Sequence, residues 1–181
     1  MEHEKKVMSR SVFFDTEFTQ FRDMGREPKL ISIGLVEENG CEFYAELIDT
    51  YQKSDCSNFV VDVVLPLMDG NRMKEAQLAY RLKDWIESLE AEEVVLRCDS
   101  PSYDWLLVVA LFNSYGWPLN LCRKVSTVEF ESDRQALWYQ AGLAIFWMEN
   151  AERMHHAMVD ARAMRFAWEY AIKRGKECGI E

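Results

Sequence analysis

Two acids separated by one residue close the run Arg10-Ser11-Val12-Phe13-Phe14-Asp15-Thr16-Glu17-Phe18. Its β-branched and aromatic residues predict a buried strand. Side chains alternate across a strand, so Asp15 and Glu17 face the same way, a few ångströms apart, at the end of an apolar element. Two carboxylates held that close repel, and without a cation one of them is driven to keep its proton. A divalent metal ion removes the conflict. A solvated strand end carries the same Asp-x-Glu pair, so the chemistry depends on further acids of the same character.

Two more acids meet that condition. Asp104, Leu107, Val108, Leu111, Phe112 and Tyr115 follow helical spacing, which puts Asp104 at the head of an apolar stripe. Asp160, Ala163, Met164, Ala167, Trp168 and Ala171 repeat the arrangement. Each acid could serve only its helix N-terminus through the macrodipole, a contribution of under about 1 kcal/mol. That account leaves unexplained why both point inward, since burying an unpaired carboxylate is costly. If both first turns meet the end of the first strand, Asp15, Glu17, Asp104 and Asp160 converge. Such a hard oxygen set suits Mg²⁺ or Mn²⁺ and not zinc. His155 lies five residues before Asp160, just ahead of that helix, where a general base titrating near neutrality could sit.

The remaining pattern supplies a frame for these residues. A second strand is predicted over Leu30–Val36, an Asn39-Gly40 turn follows, and a third strand, antiparallel to the second, covers Cys41–Ile48. Asp49–Asn71 reads as irregular with a short helical turn in Val60–Leu67, and Arg72–Leu89 reads as an amphipathic helix. Glu93–Arg97 is a fourth strand and Ser102–Tyr115 a helix closed by Gly116. Within Leu119–Phe130 an edge strand is expected near Lys124–Val128. Helices are predicted over Ser132–Gly142 and Ala157–Arg174. Hairpin-linked strands followed by alternating strand and helix predict an α/β fold, a mixed sheet with helices on its faces.

The whole chain narrows the function classes. Its 181 residues suit one well-packed domain, residues 1–181, and a 49% apolar content supports a sizeable core. A net charge of -10 argues against a non-specific nucleic-acid coat protein, which is basic. It does not exclude a nuclease that holds a few terminal nucleotides through metal ions. Five scattered cysteines without a Cys-x-x-Cys pair read as reduced core thiols of a cytoplasmic protein. Met1–Lys6 has no apolar signal core, and Ala136–Met148 is too short to span a bilayer.

Asp15-Thr16-Glu17, Asp104 within Ser100-Pro101-Ser102-Tyr103-Asp104, and His155 with four residues before Asp160 together resemble the three-motif signature of the DEDDh 3′-to-5′ exonucleases, of the ribonuclease H-like superfamily. Phe14–Phe18, Leu30–Gly34 and His155–Arg162 are most similar to the RNase AS-type exoribonucleases of bacteria and phages. The resemblance spans most of the chain in motif order. It departs at Asp99, where many members carry Asn. The sister group places Tyr where His156 stands, so the choice of base lies between His155, which fits the h-type spacing, and its neighbour.

The resemblance implies a ribonuclease H-like mixed five-stranded sheet and hydrolysis of single-stranded RNA from its 3′ end to nucleoside 5′-monophosphates. It implies two Mg²⁺ ions, with Mn²⁺ as substitute, about 4 Å apart. Asp15 would bridge both, Glu17 and Asp160 would serve the ion on the nucleophile side, and Asp104 would support the other through water. His155 would take the proton from the attacking water. Phe18, with Tyr103 beside it, would stack on a base; core packing is the plainer role for Phe18. A homodimer is also implied. The alternatives are a 3′-to-5′ exonuclease acting on DNA, or a non-catalytic module that binds a protein partner.

Overall fold

A computed structural model describes residues 8–128, 130 and 132–178; the polar segment Met1–Lys6 lies outside them. In the described residues five strands form one sheet: β1 (Ser9–Phe18), β2 (Leu30–Glu37), β3 (Glu42–Leu47), β4 (Arg72–Met73) and β5 (Glu93–Arg97). Their order is β4-β3-β2-β1-β5, so the strand carrying the two acids lies inside the sheet. β1–β2 and β2–β3 pair antiparallel, whereas β5 joins β1 in parallel and β4 joins β3 in parallel. This mixed sheet is the one expected. The β2–β3 turn closes at Gly40, whose φ of +98° only glycine adopts without strain and whose N–H donates to the Glu37 carbonyl at 2.7 Å.

The fifth strand is not where the sequence suggested. Residues near Lys124–Val128 form no strand; Ser126 makes an isolated bridge to β5, and Leu121 makes another. The fifth strand is instead Arg72–Met73, read as the start of a helix. There the Glu46 and Ile48 N–H groups donate to the Asn71 and Met73 carbonyls, which satisfies β3's outer edge before the helix begins.

The described residues hold four α-helices, α1 (Glu75–Glu87), α2 (Asp104–Tyr115), α3 (Asp133–Asn150) and α4 (Ala157–Glu177); α1, α2 and α4 pack on the sheet and α3 packs on α4. Alternation along β1 decides which helix each residue meets. Val12 and Phe14 join Leu78, Leu82, Val108 and Phe112 of α1 and α2 in the larger core. Phe13 faces the other way, onto Ala161 and Met164 of α4. Val60–Leu67, expected as a short helical turn, is helical, and Val60 and Val64 pack on Ile31. α3 runs eight residues past its expected end at Gly142. This glycine does not stop the helix: a Cβ there would lie 2.8 Å from the Ala167 Cα, so it is the point where α3 and α4 press together. Among the five cysteines only Cys98 is buried, and Cys41 and Cys178 are exposed, so the reading of all five as core thiols is too broad. No helix among the described residues is long and apolar enough to cross a membrane.

Candidate active site

Asp15 stands where both helical layers come closest to β1. Its register partner on β2 is Gly34, and a Cβ at Gly34 would lie 2.4 Å from the Met158 backbone. Only a glycine admits the first turn of α4 this close to the sheet, and that turn carries Asp160. On the opposite face Thr16, which is buried, donates its hydroxyl to Asp104 Oδ1 at 2.5 Å. That bond fixes the first residue of α2 against the strand.

The four predicted acids therefore converge, in two overlapping triads. Carboxylate oxygens of Asp15, Glu17 and Asp160 lie within 4.8 Å of one another, and so do those of Asp15, Asp99 and Asp104. Asp15 belongs to both. Asp99, in the loop between β5 and α2, is an acid that the sequence reading noted only as a departure from the motif. Its one signal was position, five residues before Asp104.

Electrostatics follow from this crowding. Burial, then Asp104, Glu17, Asp160 and Asp99, hold the Asp15 carboxyl well above the ordinary carboxylate range. Burial first, and then Asp160 and Asp104, push Glu17 up to about 9. Burial likewise raises Asp104 to about 7, against the Thr16 hydroxyl, which favours the charged form. Asp160 is also raised to about 7 by burial, opposed by the His155 backbone N–H, which donates to its Oδ2 at 3.1 Å. Among the described residues no Lys or Arg counters these carboxyls. Asp104, 1% exposed, keeps its Oδ2 without a partner. A buried, unpartnered carboxylate oxygen among like charges is an arrangement that a hard divalent cation satisfies. The donor set thus fits Mg²⁺ or Mn²⁺.

The two histidines separate. His155 lines the same cavity, of about 470 Å³, as the acids. Its backbone sits at φ +69°, and its ring lies edge-on to Phe59 with centroids 5.0 Å apart. His156 lines a different cavity, with Tyr44, Asp69 and Arg153. It is buried, stacks on Tyr44 at 4.6 Å, and brings Nε2 within 3.1 Å of Asp69 Oδ2. Burial, and then Arg153, hold its imidazole below the ordinary histidine value.

Phe18 is on the wall of the acidic cavity. Tyr103 stands behind it, stacked at 5.2 Å with the rings 5° from parallel, and does not line the cavity. Phe21, half exposed, meets both rings edge-on. Phe21, Met24 and Phe59 complete an apolar rim beside the carboxylates. The sequence reading missed all three, because Phe59 reaches the site only through the Val60–Leu67 helical segment, and Phe21 and Met24 through a loop.

No protein-family model matches the sequence, and no curated protein matches it. Solved structures do. The zinc-bound complex of Escherichia coli Exonuclease I with ssDNA superposes with a TM-score of 0.57 at 13% identity, over 93% of this chain and 41% of that one. The same enzyme with a dA16 oligonucleotide gives 0.56 at 13% identity, over 95% of this chain and 42% of that one. The nuclease domain of 3′hExo bound to rAMP, described as a DEDDh family member, gives 0.55 at 13% identity, over 99% of this chain and 96% of that one. The chain thus spans about two fifths of the Exonuclease I chains. Its mixed five-stranded sheet with flanking helices is the ribonuclease H-like fold of these exonucleases.

Proposed function

We propose that this chain is a DEDDh-type 3′-to-5′ exonuclease of the RNase AS kind, a single domain over residues 1–181. It would remove nucleoside 5′-monophosphates from the 3′ end of single-stranded RNA in the cytoplasm. The observation that carries the reading is the pair of carboxylate triads sharing Asp15 in one cavity with His155. The ssDNA and rAMP held by proteins of the same fold support a single-stranded nucleic-acid substrate.

Asp15, Glu17 and Asp160 would hold one divalent ion, and Asp15 with Asp104 the other. Two Mg²⁺ or Mn²⁺ ions supply Lewis-acid stabilisation of the charge that develops during in-line attack on a phosphodiester. The residues of the chain do the rest. His155, which lines the cavity, would take the proton from the attacking water on an imidazole nitrogen. His156 is committed to Tyr44 and Asp69 on another side of α4's entrance, which favours His155 as the base. Phe18, backed by Tyr103, offers a flat apolar face to the terminal base. Beside a bound strand the apolar rim would lower the local dielectric around the acids and strengthen their hold on charge.

Digestion of 5′-labelled RNA and DNA of one sequence tests this reading. With Mg²⁺ or Mn²⁺ the RNA should shorten in single-nucleotide steps, and EDTA should stop it. Faster shortening of DNA would transfer the substrate to the second reading, which the ssDNA complexes favour. No shortening of either would leave the acids as helix caps on a binding module.

A homodimer, also part of this proposal, would have a candidate face on α3. Leu137, Ile145 and Met148 are 69%, 42% and 85% exposed, and with the exposed Ala141 they form an apolar stripe along α3.

A further inference from the structure

The structure assigns Asp99 as a third carboxylate ligand of the second divalent ion, so that this ion is held by the protein before any nucleic acid arrives. The inference rests on the two-ion reading of the site and deepens it. Four observations carry it. An oxygen of Asp99 lies within 4.8 Å of oxygens of both Asp15 and Asp104, which makes the second triad as compact as the first. Asp104 is 1% exposed, lines the cavity, and keeps its Oδ2 buried without a partner. Asp99 itself is exposed, so it can turn toward an ion without opening the core. The loop that carries it is fixed by the Tyr103 and Asp104 N–H groups, which donate to the Ser100 carbonyl at 2.9 and 3.0 Å.

The consequence concerns when the ion is bound. Mg²⁺ sites with one or two carboxylates depend on substrate phosphates to complete their coordination. Asp15 and Asp104 alone make such a site, and Asp15 is already shared with Glu17 and Asp160. A third carboxylate supplies both a ligand atom and a negative charge, so the second position fills from solution. Substrate then meets a site already loaded with two ions.

Calorimetric titration with Mn²⁺ tests this on the full chain without reference to activity. The wild type should bind two ions. Asp99→Asn should keep one with unchanged affinity and bind the other at least tenfold more weakly, and uridine 5′-monophosphate should restore the second by lending its phosphate. Asp133→Asn, in the adjoining cavity that Asp99 also lines, removes a like charge without removing a ligand and should titrate as wild type. A wild-type titration by Asp99→Asn, or an equal weakening by Asp133→Asn, overturns the assignment and leaves the two-ion reading standing. A wild type that binds one ion or none overturns both.

Discussion

His155 meets two demands that few residues meet together. Its φ of +69° lies in the left-handed region, which costs a non-glycine residue roughly 1–2 kcal/mol, yet the residue lines the cavity that holds the acids. Alanine would change the backbone preference along with the chemistry. Asparagine tolerates the left-handed region, so His155→Asn isolates the ring. This variant should lose about 10²–10⁴ in kcat while Mn²⁺ binding persists, and His156→Gln should lower thermal stability with kcat intact. Loss of turnover in the second variant and not the first would move the base to His156. At Asp15 and Asp160, replacement by asparagine should abolish metal-dependent mononucleotide release with an unchanged far-ultraviolet circular dichroism spectrum; activity surviving either change would remove the two-ion account. Asp104 and Asp160 were legible as unusual in the sequence because each heads an apolar helical stripe, a pattern that needs no tertiary information. Asp99 was not legible in that way. It lies in a loop, where no periodicity says which way a side chain points.

At the scale of elements, two glycines let α4 approach its neighbours. Gly34 admits α4 to β2 beside Asp15, and Gly142 admits α3 to α4. Gly34→Ala must displace backbone and not a flexible side chain, at a cost of about 1–3 kcal/mol typical of overpacking. Because Asp160 rides on the displaced turn, the variant should lose Mn²⁺ affinity as well as melting temperature. A stability loss with wild-type Mn²⁺ binding would show that Gly34 serves packing alone. Strands β1, β2, β3 and β5 were readable from alternation and the Asn39-Gly40 turn. β4 was not, since two residues of strand joined to a helix carry no period, and their pairing depends on β3, more than twenty residues away. Gly142 misled for a related reason: a glycine that ends a helix and one that lets a helix touch its neighbour look alike until the neighbour is present.

The whole molecule carries a charge of -10, and part of it is concentrated in one cavity. A carboxyl that holds its proton more tightly when folded stabilises the fold below its ordinary value, and this contribution is lost as pH rises toward the folded value. With Asp104 and Asp160 at about 7 and Glu17 at about 9, the metal-free site loses stability from the ordinary carboxylate range up to about pH 9. Thermal unfolding in EDTA should therefore give a lower midpoint at pH 8 than at pH 5.5, a smaller difference in Glu17→Gln, and a Mg²⁺ increment that grows with pH. An increment independent of pH would contradict the crowding of charge. On the outer surface, Met148→Glu should convert a dimer to a monomer in analytical ultracentrifugation if the α3 stripe is the contact, and an unchanged mass would remove that face from consideration.

Carboxylates from β1, α2, α4 and the loop before α2 must gather around divalent ions for this chemistry to run. Anomalous scattering from crystals grown with Mn²⁺ measures this directly. Two peaks are predicted, one touching Asp15, Glu17 and Asp160, the other touching Asp15, Asp99 and Asp104. An empty cavity, or peaks only on carboxylates outside it, would contradict the account.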